Sequence, residues 1–152
     1  MLEELEKKRV FIIAEIAQAH DGSLGILHSL IEASAKLGVD GVKFQVHIAN
    51  SESTISEPFR INFSYEDQTR FDYWERMEFT PNQWKQIKEK CDELGVEFMA
   101  TPFSTAAVDL LEMLKIKRYK IGSGDLNNLL LIDKIIKTGK EILLSTGMSN
   151  ND

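Results

Sequence analysis

"KLGVDGVKFQVH", Lys36 to His47, joins a helical period to a strand period within a few residues. Before it, Leu27, Leu30, Ile31, Ser34 and Ala35 recur every three or four positions, giving a helix one apolar face that Gly38 brings to an end. After it, Val42, Phe44 and Val46 alternate with Lys43, Gln45 and His47, the period of a strand with two unlike faces. The same junction recurs at Gly95, followed by "VEFMATPF", and at Gly139, followed by "EILLSTGM". Helices that hand over to strands through such short turns imply a parallel sheet with right-handed crossovers. "VFIIAEIA" (10–17) and "RYKIGS" (118–123) complete an expectation of five strands. A doubly wound open sheet and a (β/α)8 barrel both satisfy it. The former usually carries a Gly-rich phosphate loop after its first strand, and here that loop reads "AQAHDGSLG", without GxGxxG.

Thr80, Pro81 and Gln83 form a capping box with proline at the first helical position, and Trp84, Ile87, Cys91 and Leu94 form the stripe of the helix they open. Ser104 caps "STAAVDLLEMLK", and an asparagine caps the helix in "NNLLLIDKIIKTG". Between the second strand and Thr80 lies a long polar stretch, Ile48 to Phe79, with Phe59, Phe63, Tyr65, Phe71, Tyr73 and Trp74 spread through it. Loops of this length are functional or disordered, and the aromatics favour an ordered excursion with short strands.

The 152 residues suffice for one domain, and 43% hydrophobic with 28% charged residues suit a globular chain. A net charge of −6 argues against a general nucleic-acid or anionic-membrane binder, though not against a small anion held by local lysines. No apolar run approaches the roughly 20 residues of a membrane span, and the start "MLEELEKKRV" is too charged for a signal peptide. A single cysteine, Cys91, cannot form an intrachain disulfide; a buried core thiol and a reducing cytoplasm are expected.

Parallel strands covered on both faces are nearly all apolar. These strands break that pattern near their C-terminal ends, with Glu15 in the first, Lys43 and Gln45 in the second, Thr101 in the third, Lys120 and Ser123 in the fourth, and Ser145 and Thr146 in the fifth. Pairing among themselves, Lys43 with Glu15 for instance, would satisfy some of them, because an unpaired buried charge costs several kcal/mol. So many at one end of one sheet favour a site, and two ammonium groups among hydroxyls and glycine amides suit a phosphate and a carboxylate. In "KIGSGDLNN" the lysine supplies charge and the glycines let an anion approach the backbone; Asn127 and Asn128 could contact a ligand or cap the next helix.

The motifs "FIIAEIAQAHDGSL", "GVKFQVH", "ATPFS", "YKIGSGDLNN" and "ILLSTGM", in this order, resemble the N-terminal half of the N-acetylneuraminate (sialic acid) synthase family, from about Phe11 to Met148. The resemblance implies an α/β fold of parallel (β/α) units, a partial TIM barrel with five of eight strands. It also implies condensation of phosphoenolpyruvate with an N-acetylmannosamine-type amino sugar, aided by a divalent metal, Mn2+ or Mg2+, that polarises the sugar aldehyde. By similarity, Lys43, Thr101, Lys120 and Ser123 hold phosphoenolpyruvate, Gln45 contacts the sugar and Glu15 handles the proton of the water added at C2. His20, Asn127 and Ser145 are further candidates.

The family's first loop usually reads Asn-His before its glycine; Ala19-His20-Asp21-Gly22 keeps the histidine and not the amide. Its two metal-binding histidines lie on later strands, so no metal ligand is assigned among these residues. Residues 1–152 are thus expected to be the N-terminal portion of the barrel, lacking its last strands and the C-terminal antifreeze-like domain, and inactive alone. His28 is expected at the surface, and His47 near the site without being a ligand. A non-catalytic assembly module joined through open sheet edges, including a homo-oligomer, and a related 3-deoxy-sugar-acid synthase remain as alternatives.

Overall fold

The computed structural model describes residues 10–148; most of the charged N-terminal stretch lies outside them. Five strands form one sheet: β1 (Ile13–Ala17), β2 (Gly41–Val46), β3 (Glu97–Pro102), β4 (Arg118–Ile121) and β5 (Glu141–Leu144). Their spatial order is 1-2-3-4-5 and every neighbouring pair is parallel. A doubly wound sheet reverses direction at a switch point. Here the order never reverses, and the winding is that of a barrel wall.

Among the described residues six α-helices accompany the strands: α1 (Leu24–Lys36), α2 (Ala49–Glu52), α3 (Arg70–Met77), α4 (Pro81–Glu93), α5 (Thr105–Met113) and α6 (Leu129–Ile136). Val42, Phe44, Val46, Phe98, Ala100, Tyr119 and Ile121 share one buried core with Leu27 and Ile31 of α1, Trp84, Ile87 and Cys91 of α4, Val108 and Leu111 of α5, and Leu131 and Ile135 of α6. These strand residues are alternate positions, so the helices cover one face of the sheet and leave the other to the intervening residues. Cys91 belongs to this core; burial pushes its thiol up to about 12.

Thr80 and Gln83 form the expected capping box, Ser104 Oγ accepts from the Ala107 amide at 3.1 Å, and Asn128 Oδ1 accepts from the Leu131 amide at 3.3 Å. Three readings change. The first strand begins at Ile13; Val10, Phe11 and Ile12 are exposed before it, with the Ile12 carbonyl accepting from the Gly41 amide at 3.1 Å. The stripe of α4 ends at Cys91, with Leu94 partly exposed beyond it. The excursion from Ile48 to Phe79 contains two short helices rather than strands. α3 has its own capping box, Thr69 with Asp72, which satisfies the amides of its first turn.

Arg76 ties this excursion to the first βα loop. Its guanidinium donates to Asp67 at 2.8 Å and to Asp21 at 2.6 Å. Gly22 runs past the Arg76 carbonyl with φ +74°, where a Cβ would collide with that oxygen. Only glycine meets both the left-handed backbone and this close approach without strain.

Candidate functional site

Register places the polar strand residues side by side. Glu15 lies opposite Lys43, and Lys43 opposite Met99. One step toward the C-terminal ends, Gln45 lies opposite Thr101, and the Ala100–Tyr119 pairing sets Thr101 beside Lys120. All are out of phase with the core positions and share the face that the helices leave uncovered.

Lys43 pairs with Glu15; the lysine is 12% exposed and the carboxylate 46%. Lys120 donates to Ser145 Oγ at 2.5 Å and to the Ile121 carbonyl at 2.7 Å. Burial lowers the Lys120 ammonium below its usual value, the charge of Lys43 lowers it further, and Glu15 opposes both. The charge of Lys43 is therefore felt at Lys120 across the uncovered sheet face. Like charges held close while partly desolvated favour a bound anion, which relieves their repulsion.

Thr101 is buried. Ser123 lies in a short 3-10 turn, Ser123–Asp125, because β4 ends at Ile121 and does not extend through the serine. Asn127 is exposed, and the helix cap is Asn128. His20 is buried, accepts from the Gly22 amide at Nδ1 (3.0 Å) and contacts the Phe79 ring; burial holds it neutral, down to about 4. It braces its loop. His28 is half-buried, with Nε2 shielded and unpartnered, rather than fully at the surface.

Sequence reasoning missed the groups around Gln45. β1 shifts register between Glu15 and Ala17, and Ala17 has φ 48°, which brings the next residue, Gln18, to the site: its Nε2 donates to Gln45 Oε1 at 3.1 Å. His47, 3% exposed, stacks between Trp74 at 3.7 Å and Phe103 at 4.3 Å. Its Nδ1 lies 2.7 Å from Glu52 Oε1 and its Nε2 3.4 Å from Gln45 Oε1. Gln45, His47, Glu52, Trp74 and Phe103, together with Arg70 and Asp125, line a cavity of about 380 Å³. A second, more apolar cavity of about 540 Å³ shares Arg70, Trp74, Phe103 and Asp125 and adds Phe59, Phe63 and Tyr73. The alternation of β2 already pointed His47 to the face of Lys43 and Gln45; nothing in the sequence singled out Glu52 or Gln18.

Burial pushes the Glu52 carboxyl up to about 8; Arg70 opposes this, while Glu78, Asp125 and Glu57 add to it. His47 is held to about 3 by burial and then by Arg70, with Asp125 opposing. Between pH 4.5 and 8 Glu52 is protonated when folded and ionised when unfolded, so its contribution is full below 4.5 and is lost as pH rises through 8. His20 and His47 are neutral when folded; their contributions are full above pH 6.5 and are lost as pH falls through about 4 and about 3 respectively. Above pH 6.5 the two histidine contributions are constant and that of Glu52 alone of the three still changes with pH. Stability should fall by about 1–2 kcal/mol from pH 6.5 to 8, and Glu52→Gln should flatten that decline. Urea midpoints at the two pH values measure it, and an unchanged slope in the variant would remove Glu52 as its source.

Among the described residues no three His, Cys, Asp or Glu side chains come together as a metal-binding group, and no helix is long and apolar enough to cross a membrane.

A model of the NeuB family matches residues 30–152. The N,N'-diacetyllegionaminic acid synthase of Campylobacter jejuni is 36% identical over 146 residues, 94% of this chain and 44% of that protein. The mouse N-acetylneuraminate-9-phosphate synthase is 30% identical, across 96% of this chain and 41% of its own length. In fold, the chain resembles the crystal structure of the N-acetylneuraminic acid synthetase of Leptospira borgpetersenii, with a TM-score of 0.78 and 24% identity over 95% of this chain and 47% of that one. The chain thus spans less than half the length of these relatives.

Proposed function

This chain belongs to the NeuB family, and we propose from that premise that it is the N-terminal part of a synthase barrel that condenses phosphoenolpyruvate with an N-acetylmannosamine-type amino sugar to a nonulosonic acid, releasing phosphate. The observation that carries this reading is the placement of Lys43 and Lys120 on one sheet face, with the charge of Lys43 felt at Lys120. Phosphoenolpyruvate presents a phosphate and a carboxylate joined by a three-carbon frame. The two ammonium groups receive these, with the hydroxyls of Thr101 and Ser123 as further donors. Ser145, already bonded to Lys120, orients that lysine.

In the proposed reaction the enolpyruvate C3 forms a bond to the sugar aldehyde carbon, whose oxygen takes a proton. Water adds at C2, and Glu15, half-exposed beside Lys43, accepts its proton. The tetrahedral product then loses phosphate by C–O cleavage. Gln45 faces the sugar. The described residues supply no metal-binding group, and these roles belong to the chain's own side chains. The buried free thiol of Cys91 fits a cytoplasmic setting.

Phosphoenolpyruvate titrated into the 152-residue chain should bind saturably, with inorganic phosphate competing. The chain alone, mixed with phosphoenolpyruvate, N-acetylmannosamine and Mn2+, should release no phosphate. Absence of saturable binding would remove the site; turnover would overturn the assignment of the remaining machinery to residues outside this chain.

A second reading rests on the sheet edges. β1 and β5 are terminal strands, and Leu129, Leu130, Leu144 and Met148 are exposed on or near the β5 side. Open edges seek partners, and self-association through them predicts a mass that rises with concentration in light scattering; a constant monomer mass would end this reading.

A further inference from the structure

A primary amide is the one polar group in the groove that can be turned over without changing its shape, exchanging one acceptor for two donors. The hydrogen bonds around Gln45 set which way it lies, and the Gln18 amide that points at it keeps its own Oε1 buried without a hydrogen-bond partner. Gln18 donates Nε2–H to Gln45 Oε1 at 3.1 Å, so the oxygen faces β1 and the first loop. His47 Nε2 lies 3.4 Å from the same oxygen, a favourable approach only when that nitrogen carries the proton. On the far side of the ring, Glu52 Oε1 lies 2.7 Å from Nδ1. Glu52 is 8% exposed, and burial raises its carboxyl to about 8, which favours the arrangement in which the carboxyl donates and Nδ1 accepts. The ring is held against turning over, which would put carbons in place of its nitrogens, because Trp74 and Phe103 lie nearly parallel to it on both faces, at 8° and 11°.

We propose that Glu52 and His47 are positioning residues that hold the Gln45 amide with its oxygen turned back into the protein and its two N–H groups turned into the groove. This rests on the reading of Gln45 as a sugar contact and goes further: the site then reads an acceptor oxygen, of which the acyl carbonyl is the strongest on a neutral N-acylated amino sugar. A free amino sugar would bring an ammonium donor against the Gln45 donors.

Long-range proton–nitrogen spectra of the 15N-labelled chain test this without substrate. His47 should be the Nε2–H tautomer between pH 5 and 7.5, a window set well above its folded value of about 3, and the Gln45 side-chain amide should give one resolved pair of signals. Glu52→Gln keeps a donor toward Nδ1 and should leave both signatures in place. Glu52→Leu removes the donor and should mix the tautomers and move or double the Gln45 signals. A wild-type His47 protonated at Nδ1 would overturn the proposal, as would a Glu52→Leu variant with both signatures unchanged. The tautomer is read in the unmodified chain, so a misfolded variant cannot hide the answer. Failure here is also distinct from failure of the synthase reading, which the phosphoenolpyruvate titration decides.

Discussion

Lys120→Met is expected to weaken phosphoenolpyruvate binding at least ~30-fold, and Lys43→Met comparably. Removing one partner of a desolvated, hydrogen-bonded charge pair costs about 2–5 kcal/mol, and each 1.4 kcal/mol is about tenfold in affinity. Both lysines are partly desolvated already, and burial with mutual repulsion lowers the Lys120 ammonium before any ligand arrives. An incoming phosphate or carboxylate relieves that repulsion, so losing either lysine removes attraction and leaves an anionic group facing a depleted site. The two variants should differ in their effect on the empty protein. Lys43→Met strands Glu15, which at 46% exposure can be hydrated, whereas Lys120→Met frees Ser145 and the Ile121 carbonyl. Gln45→Ala should leave phosphoenolpyruvate binding within a few-fold of wild type, because the amide is assigned to the sugar. Calorimetric titration of the three variants measures all of this. Equal losses in all three would point to a general collapse of the site rather than to two anion contacts.

Trp84→Ala should cost about 3–5 kcal/mol, the range for deleting a fully buried aromatic ring. Trp84 is 1% exposed and lies edge-on to Phe44, Phe79 and Phe98 at 5.4–6.1 Å, where α4 meets β2 and β3. Domains are stable by only roughly 0.05–0.15 kcal/mol per residue, so the loss is a large share of the total. Trp84→Phe should cost much less. Its smaller ring leaves some space, but it also removes an indole N–H that is buried with no acceptor, a group whose desolvation is otherwise uncompensated. Urea midpoints of both variants test the ordering; equal destabilisation would mean that the indole N–H contributes nothing to the balance.

The winding was legible from junctions such as Gly38 to Gly41, where a helical period stops and a strand period begins within three residues. Local signals of this kind carry the alternation of helix and strand, and the strand order then follows the chain. The polar sheet face was legible at Lys43 and Gln45, because polar residues two apart in one strand share a face, and the register of β3 and β4 sets Lys120 on the same face. It was not legible at Gln18, which reaches Gln45 only because β1 breaks register at its end. A period-two reading cannot foresee a register shift. Glu52 was hidden for another reason: one carboxylate in a polar run reads as solvated, and only the fold encloses it with His47. The excursion was misread as strands because α2 and α3 are too short for an apolar stripe to declare itself. The Thr69–Asp72 box was the local sign of the second of them.

The crystal structure of this chain with phosphoenolpyruvate bound puts the convergence of the two lysines to its most direct test. The phosphate and the carboxylate should each lie within hydrogen-bond distance of Lys43 or Lys120, with the Thr101 and Ser123 hydroxyls alongside. A separate hollow, lined by Lys88, Lys115 and Lys117 together with Asp40, Asp92 and Glu97, lies by the N-terminal ends of the strands. The ligand seated there, with Lys43 and Lys120 untouched, would contradict the account.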